Sequence, residues 1–160
     1  MPHLPTQQPI GTPFIELLSV DSTNNYARQQ IYGSDLPLRQ GFAQHGMAIF
    51  THEQVAGKGQ RGKTWASQKG MNLALSVIIK PTSISVAEQF QLSACVAVAA
   101  HDFFSRYAGN EDSKIKWPND LYWQDRKAGG ILIENVISGS GTWEWAIVGI
   151  GININQVRFP

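Results

Sequence analysis

The chain has 160 residues, 42% hydrophobic and 16% charged, with a net charge of +1. That is enough for one domain with a real core, and so balanced a charge excludes a strong electrostatic case for nucleic acid. Cys95 is the sole cysteine, which excludes a disulfide framework and a cysteine-ligated zinc site, and the four histidines (His3, His45, His52, His101) lack metal-ligand spacing.

The opening residues Met1-Pro2-His3-Leu4-Pro5 offer neither a basic region nor an apolar stretch, so no signal peptide is expected. The longest apolar run, around residues 94–100, falls well short of the ~20 residues that span a bilayer. The expectation is a cytoplasmic protein with no membrane partner. Residues 1–13 hold four prolines and a glycine and read as an extended arm. A single domain is expected over 14–160.

Residues 14–20 read as a strand. Asp21-Ser22-Thr23-Asn24 is a cluster of helix-capping residues, and a short helix is predicted over 25–31. Strands follow at 47–52 and 72–79, the second stopped by Lys80-Pro81. Ser85-Val86-Ala87-Glu88 is a capping box. Behind it Val86, Phe90, Ala94, Ala97, Phe104 and Tyr107 recur at helical spacing, predicting a helix to about residue 107. Residues 113–117 read as a strand, with turns at 118–120 and 124–126. A long strand over 127–137 is interrupted by Gly129-Gly130, and a last one covers 143–151. The expected fold class is α+β, a central mixed sheet with flanking helices.

Between the second and third strands lies Gly57-Lys58-Gly59-Gln60-Arg61-Gly62-Lys63-Thr64-Trp65. Its first eight residues spell the phosphate-binding P-loop pattern, but that pattern needs a helix at its end, and none fits before residue 72. The stretch is instead a glycine-rich cationic connection between strands. Its glycines permit close backbone approach, and its cations suit a phosphate or pyrophosphate.

The other polar clusters also fall at strand ends. Ser22, Thr23 and Asn24 put hydroxyls and an amide at a helix N-terminus, more than a simple cap needs. Lys116-Trp117-Pro118-Asn119-Asp120 sets an aromatic face and a carboxylate beside a fixed bend. Gly129 and Gly130 inside a strand suggest a bulge, or a ligand lying against the backbone with Lys127 beside it. Gly149-Ile150-Gly151-Ile152-Asn153 repeats the device.

In this order the five motifs resemble the biotin–protein ligases over residues 14 to about 155. The resemblance implies a sheet like that of class II aminoacyl-tRNA synthetases and lipoate ligases. It implies activation of biotin with Mg-ATP (biotin, ATP and Mg2+ being the small molecules required) to biotinyl-5′-AMP. Transfer to one lysine of a biotin carboxyl carrier protein domain follows. By motif position Ser22, Thr23, Asn24 and Gln54 hold the biotin ureido head, and Lys127 the carboxylate and adenylate phosphate. The segment Lys58, Gly59, Gln60 and Arg61 closes over the intermediate, with Gly57 at its start and Trp65 bracing it. Lys116, Trp117, Asn119, Gly129, Gly130 and Asn153 belong to the cofactor-binding set. Lys127, Arg61 and Asp120 form the catalytic set, with Asn119 and Asp120 serving the nucleotide, the metal or the incoming lysine.

Two departures from the family pattern carry expectations. Gln60 stands where the family usually has arginine, which predicts faster leakage of biotinyl-AMP unless Arg61 substitutes. The family's N-terminal DNA-binding domain and C-terminal β-barrel have no counterpart in these residues, so a catalytic core without a repressor role is expected. Sheet edges of this fold can form a homodimer or dock the carrier. Two other readings are a lipoate or octanoate ligase or transferase on the same fold, and a biotin-binding module without turnover. The Lys116–Asp120 motif and the tryptophan-terminated loop argue against the first.

Overall fold

The structure is a computed structural model describing residues 9–33 and 41–159. In chain order it contains β1 (Phe14–Leu17), α1 (Thr23–Tyr32), β2 (Ala48–Thr51), β3 (Asn72–Ile79), α2 (Gln89–Ala108), β4 (Ser113–Lys116), β5 (Asp120–Trp123), β6 (Arg126–Ile137) and β7 (Trp143–Asn153). The strands form a seven-stranded sheet in the order β1-β2-β3-β7-β6-β5-β4. β1 and β2 run parallel and every other pair antiparallel, so the expected mixed sheet with flanking helices is present.

Alternation along the strands assigns each helix a face. Ile49, Ile78, Val136 and Ile147 pack with Ala27 of α1, and Leu121, Ile131 and Ile152 pack with Ala97, Ala100 and Phe104 of α2. The two clusters lie on opposite sides of the sheet. Small residues at 97 and 100 bring α2 close to the strands. Phe90 and Tyr107, expected on that stripe, are exposed instead, each standing next to an end of α2, whereas Ala97 and Phe104 of the same stripe are buried. The capping box itself is present: Ser85 donates to Glu88 Oε2 through its N–H (3.0 Å) and its hydroxyl (2.8 Å).

The first strand stops at Leu17, and Val20 makes only an isolated bridge with Gln54. α1 begins at Thr23, two residues earlier than the apolar pattern implies. The strand over 126–137 runs unbroken through Gly129 and Gly130, with the irregularity in its pairing to β5 opposite Leu121 and Tyr122. Of the arm expected over 1–13, residues 1–8 lie outside the described residues. Gly11 donates its N–H to Gly46 O (2.7 Å) and Thr12 to Pro9 O (3.3 Å), so residues 9–12 turn rather than extend. Among the described residues no helix is long and apolar enough to cross a membrane.

Candidate functional site

The parallel bridge of Val20 with Gln54 brings two distant segments together. Val55 N–H donates to Val20 O (3.0 Å) and Ala56 N–H to Asp21 O (2.8 Å), which sets Ser22, Thr23 and Asn24 beside Gln54. Gln54 Oε1 accepts from the Thr23 backbone N–H at 2.8 Å and lies 3.1 Å from Thr23 Oγ1. Ser76, on the α1 face of β3, lies beneath, 2.7 Å from Thr23 Oγ1 and 2.6 Å from Asn24 Oδ1. Asn24 Nδ2 donates to Glu134 Oε2 (2.7 Å), whose other oxygen pairs with Arg28. Ser22 occupies the N-cap position of α1, yet its hydroxyl makes no capping hydrogen bond, although the residue is 2% exposed. A polar group so placed is free for a ligand.

The stretch 57–65 is a tight connection between β2 and β3, with no helix at its end. Lys58 pairs with Thr64 in an isolated bridge, and Gly59 N–H donates to Lys63 O (2.6 Å). A single 3₁₀ turn over Gln60–Gly62 places Arg61 in the left-handed region, with φ of 57°. This reverses the chain and lets Gln60 and Arg61 both line the cleft.

Trp65 closes the connection by lying on β6 and β7. A Cβ on Gly151 would come 2.6 Å from the indole and one on Gly130 3.1 Å from it, so these glycines make room for the ring. Gly149 does the same for the Asn24 amide. The spacing of glycines in the strands is thus occupied by the protein's own side chains. Gly129 has a different role: a Cβ there would meet Gly151 O at 2.9 Å across the ladder.

Lys127 Nζ donates to Asp120 Oδ1 at 2.6 Å and stands 5.9 Å from the Trp65 ring centroid. Asn119 anchors that corner, its carbonyl accepting from Ile131 N–H (2.8 Å) and its amide reaching Ile131 O (3.4 Å). The cleft between these groups has a volume of about 220 Å³. Its polar end is Ser22, Thr23, Asn24 and Gln54, and its cationic end Lys58, Arg61, Lys63 and Lys127. Gly59, Gln60, Trp65, Asn119, Asp120 and Gly130 also line it.

Five residues of the expected set lie outside this cleft. Gly57 backs the loop, where a Cβ would press on Gln54 Nε2 at 2.9 Å, and Gly129 is a packing position. Lys116 reaches over the Tyr122 ring at 5.4 Å, and Trp117 is 52% exposed. Asn153 lines a neighbouring groove with Arg126, Lys127 and Trp65, and its Nδ2 donates to Lys127 O at 3.4 Å. Sequence reasoning missed Lys63, Ile131, Leu132 and Ile150, all of which line the cleft. Lys63 carried the same cationic signal as Lys58, whereas the three apolar residues are indistinguishable in sequence from core. Ser76 and Glu134 were not assigned to the site either, because their contacts with Asn24 span more than fifty residues for Ser76 and more than a hundred for Glu134, and Arg28 joins only through its pair with Glu134.

Residues 19–153 match the biotin/lipoate A/B protein ligase family. The chain is 35% identical over 139 residues to the bifunctional ligase/repressor BirA of Escherichia coli, an alignment covering 87% of this chain and 40% of that protein. It is 37% identical over 107 residues to the biotin–[acetyl-CoA-carboxylase] ligase of Paracoccus denitrificans, covering 66% of this chain and 43% of the relative. The chain therefore spans about two fifths of the length of these curated relatives. Among solved structures, the biotin protein ligase of Leishmania major in complex with biotinyl-5-AMP superposes with a TM-score of 0.70 at 25% identity, covering 92% of this chain and 59% of that one. By the span matched and the arrangement of strands and loops shared, the chain belongs to the biotin/lipoate A/B protein ligase family.

Proposed function

We propose that this chain activates biotin with ATP to biotinyl-5′-AMP and passes biotin to a lysine of a biotin carboxyl carrier protein domain. One observation carries the reading: a single cleft joins an uncharged end of hydroxyls and amides to an end of four cations. A cyclic urea needs several neutral donors and acceptors, and a carboxylate meeting a phosphate needs cations. The biotin ligase relatives and the Leishmania major complex with biotinyl-5-AMP support the same chemistry.

In the first step a carboxylate oxygen attacks the α-phosphorus, and the bond to pyrophosphate breaks. Two like charges approach and charge grows on the leaving group, so Lys127, Arg61 and Lys58 act by electrostatic stabilisation. Lys127 is held ready by Asp120 and exchanges that partner for the substrate oxygens. In the second step a lysine amine attacks the acyl carbon, AMP leaves, and the amine proton passes to a carboxylate; Asp120, which lines the cleft beside Lys127, supports that reading. Asn153 and Trp65, in the groove adjoining Lys127, suit the nucleotide.

Among the described residues no three His, Cys, Asp or Glu side chains cluster as a protein-held metal would require. Asp120 is the one carboxylate lining the cleft, which fits Mg2+ carried on the triphosphate, with Asp120 as its protein ligand. The ion would neutralise phosphate charge.

The test is pyrophosphate release by the chain with biotin and Mg-ATP, read beside thermal shifts with biotin and with lipoate. Release that requires biotin supports the reading. Stabilisation by lipoate alone would transfer the site to lipoate chemistry, and biotin binding without pyrophosphate release would reduce it to a binding module.

A further inference from the structure

Past β7 the chain makes one more backbone bond to its neighbour, Asn155 N–H to Met71 O at 2.9 Å, and then leaves the sheet. Ile154, Val157 and Phe159 are all more than half exposed, yet Gln156 among them is buried, at 8%. Among the described residues, every hydrogen bond to residues 156–159 passes through the Gln156 side-chain amide. Its Oε1 accepts from the Gln68 backbone N–H (3.0 Å) and from Asn72 Nδ2 (2.5 Å), and its Nε2 donates to Arg158 O (2.8 Å). Asn72, buried as well, accepts the Ile154 N–H on Oδ1 (3.1 Å), and its Nδ2 also reaches Ser67 Oγ (3.2 Å).

Backbone donors fix both amides. The Gln68 N–H can only donate, so it requires the oxygen of Gln156, and the Ile154 N–H requires the oxygen of Asn72 in the same way. Asn72 Nδ2 is then left facing Gln156 Oε1, and Gln156 Nε2 faces the Arg158 carbonyl. The two buried amides form one clamp, which ties the foot of the cationic connection, residues 67–72, to the chain beyond β7. The bond from Gln156 to Arg158 also closes a small ring around Val157. Val157 and Phe159 line the groove beside Lys127, together with Trp65, Ala66 and Asn153. Trp65 is seated separately, on Gly130 and Gly151.

We propose that Gln156, oriented by Asn72, is a positioning residue for the nucleotide: it sets where Val157 and Phe159 stand relative to Trp65 and so shapes the groove for a purine. The proposal rests on the reading of this groove as the nucleotide's. Neither Gln156 nor Asn72 lines the groove, so both act through the residues that do.

Gln156→Met keeps the length of the side chain and removes both polar functions. In steady-state pyrophosphate release by the full chain, its KM for ATP should rise about tenfold, as loss of a buried hydrogen bond to a fixed donor does. The kcat at saturating ATP and the Kd for biotin should stay within about twofold of the parent. Gln156→Glu keeps an oxygen for Gln68 and Asn72 but sets another against the Arg158 carbonyl, so it should raise the KM for ATP as well, and it serves should the methionine variant fold poorly. Hydrogen exchange reads the clamp itself: the Gln68 amide should exchange slowly in the parent and in Gln156→Glu, and faster in Gln156→Met. A merely structural role would lower the melting temperature and weaken ATP and biotin in proportion. That pattern, an unchanged KM for ATP, or equal exchange at Gln68 overturns the proposal. A parent that releases no pyrophosphate with biotin and Mg-ATP, while exchange at Gln68 responds as expected, overturns the nucleotide reading of the groove and the proposal with it.

Discussion

Lys127 shows how one side chain can be both structural and chemical. Its ion pair with Asp120 is half-exposed, so it contributes little to stability, but it holds the ammonium at the cationic end of the cleft. Lys127→Ala is expected to lower biotinyl-AMP formation by about 10²–10³-fold, as loss of one preorganised donor does, with little change in melting temperature. Unchanged adenylate formation, measured as pyrophosphate release, would remove Lys127 from the reaction. Gln60 poses a second residue-scale question. It and Arg61 both line the cleft, and the left-handed backbone at Arg61 turns that side chain differently from an arginine at 60. Gln60→Arg is expected to slow release of biotinyl-AMP in a filter or fluorescence assay. Equal release rates would show that Arg61 already does the work.

At the scale of elements, glycine placement and capping can be tested directly. Trp65 lies on the β6–β7 ladder only because Gly130 and Gly151 lack side chains. Gly151→Ala must push the indole away, and the overpacking should cost about 1–3 kcal/mol, visible as a lowered melting temperature together with altered tryptophan fluorescence. Unaltered fluorescence would mean that the ring sits elsewhere. At the start of α2, hydrogen bonds from the Ser85 N–H and hydroxyl hold Glu88 below its ordinary value of 4.5. A carboxyl lowered in the folded state stabilises the cap fully above its unfolded value, and loses that contribution as pH falls through the lowered one. Glu88→Gln should therefore fray the N-terminal turn of α2 at neutral pH and flatten its acid dependence below about pH 4.5, as read by hydrogen exchange of residues 88–92. Parallel exchange profiles for the two proteins would show that the box contributes nothing.

For the whole molecule, the lining of the cleft is drawn from two segments far apart in the chain, residues 22–65 and 119–151, so ligand binding should stabilise the fold globally. Biotin is expected to raise the melting temperature, with a further rise on adding Mg-ATP analogues that cannot react, whereas lipoate should do neither. Much of this molecule was readable beforehand. Hydrophobic periodicity located β3 at Asn72–Ile79 to the residue, because a strand buried on both faces between β2 and β7 has no freedom in where it stops. The polar motifs marked the ends of the cleft because hydroxyls, amides, cations and glycines are the groups its chemistry needs, and local spacing preserves them. What the chain could not reveal by itself were relations between distant positions. Of the stripe expected on α2, Ala97 and Phe104 joined the core together with Ala100, whereas Phe90 and Tyr107, next to the helix ends, stayed exposed because, among the described residues, no strand lies beneath them. Lys116 and Trp117 proved to stand clear of the cleft that Asn119 and Asp120 line, as the chain passes from β4 into β5. Residue types thus set the chemistry available. Which glycine shelters which ring, and which carboxylate orients which amide, depended on contacts formed only when the sheet closes.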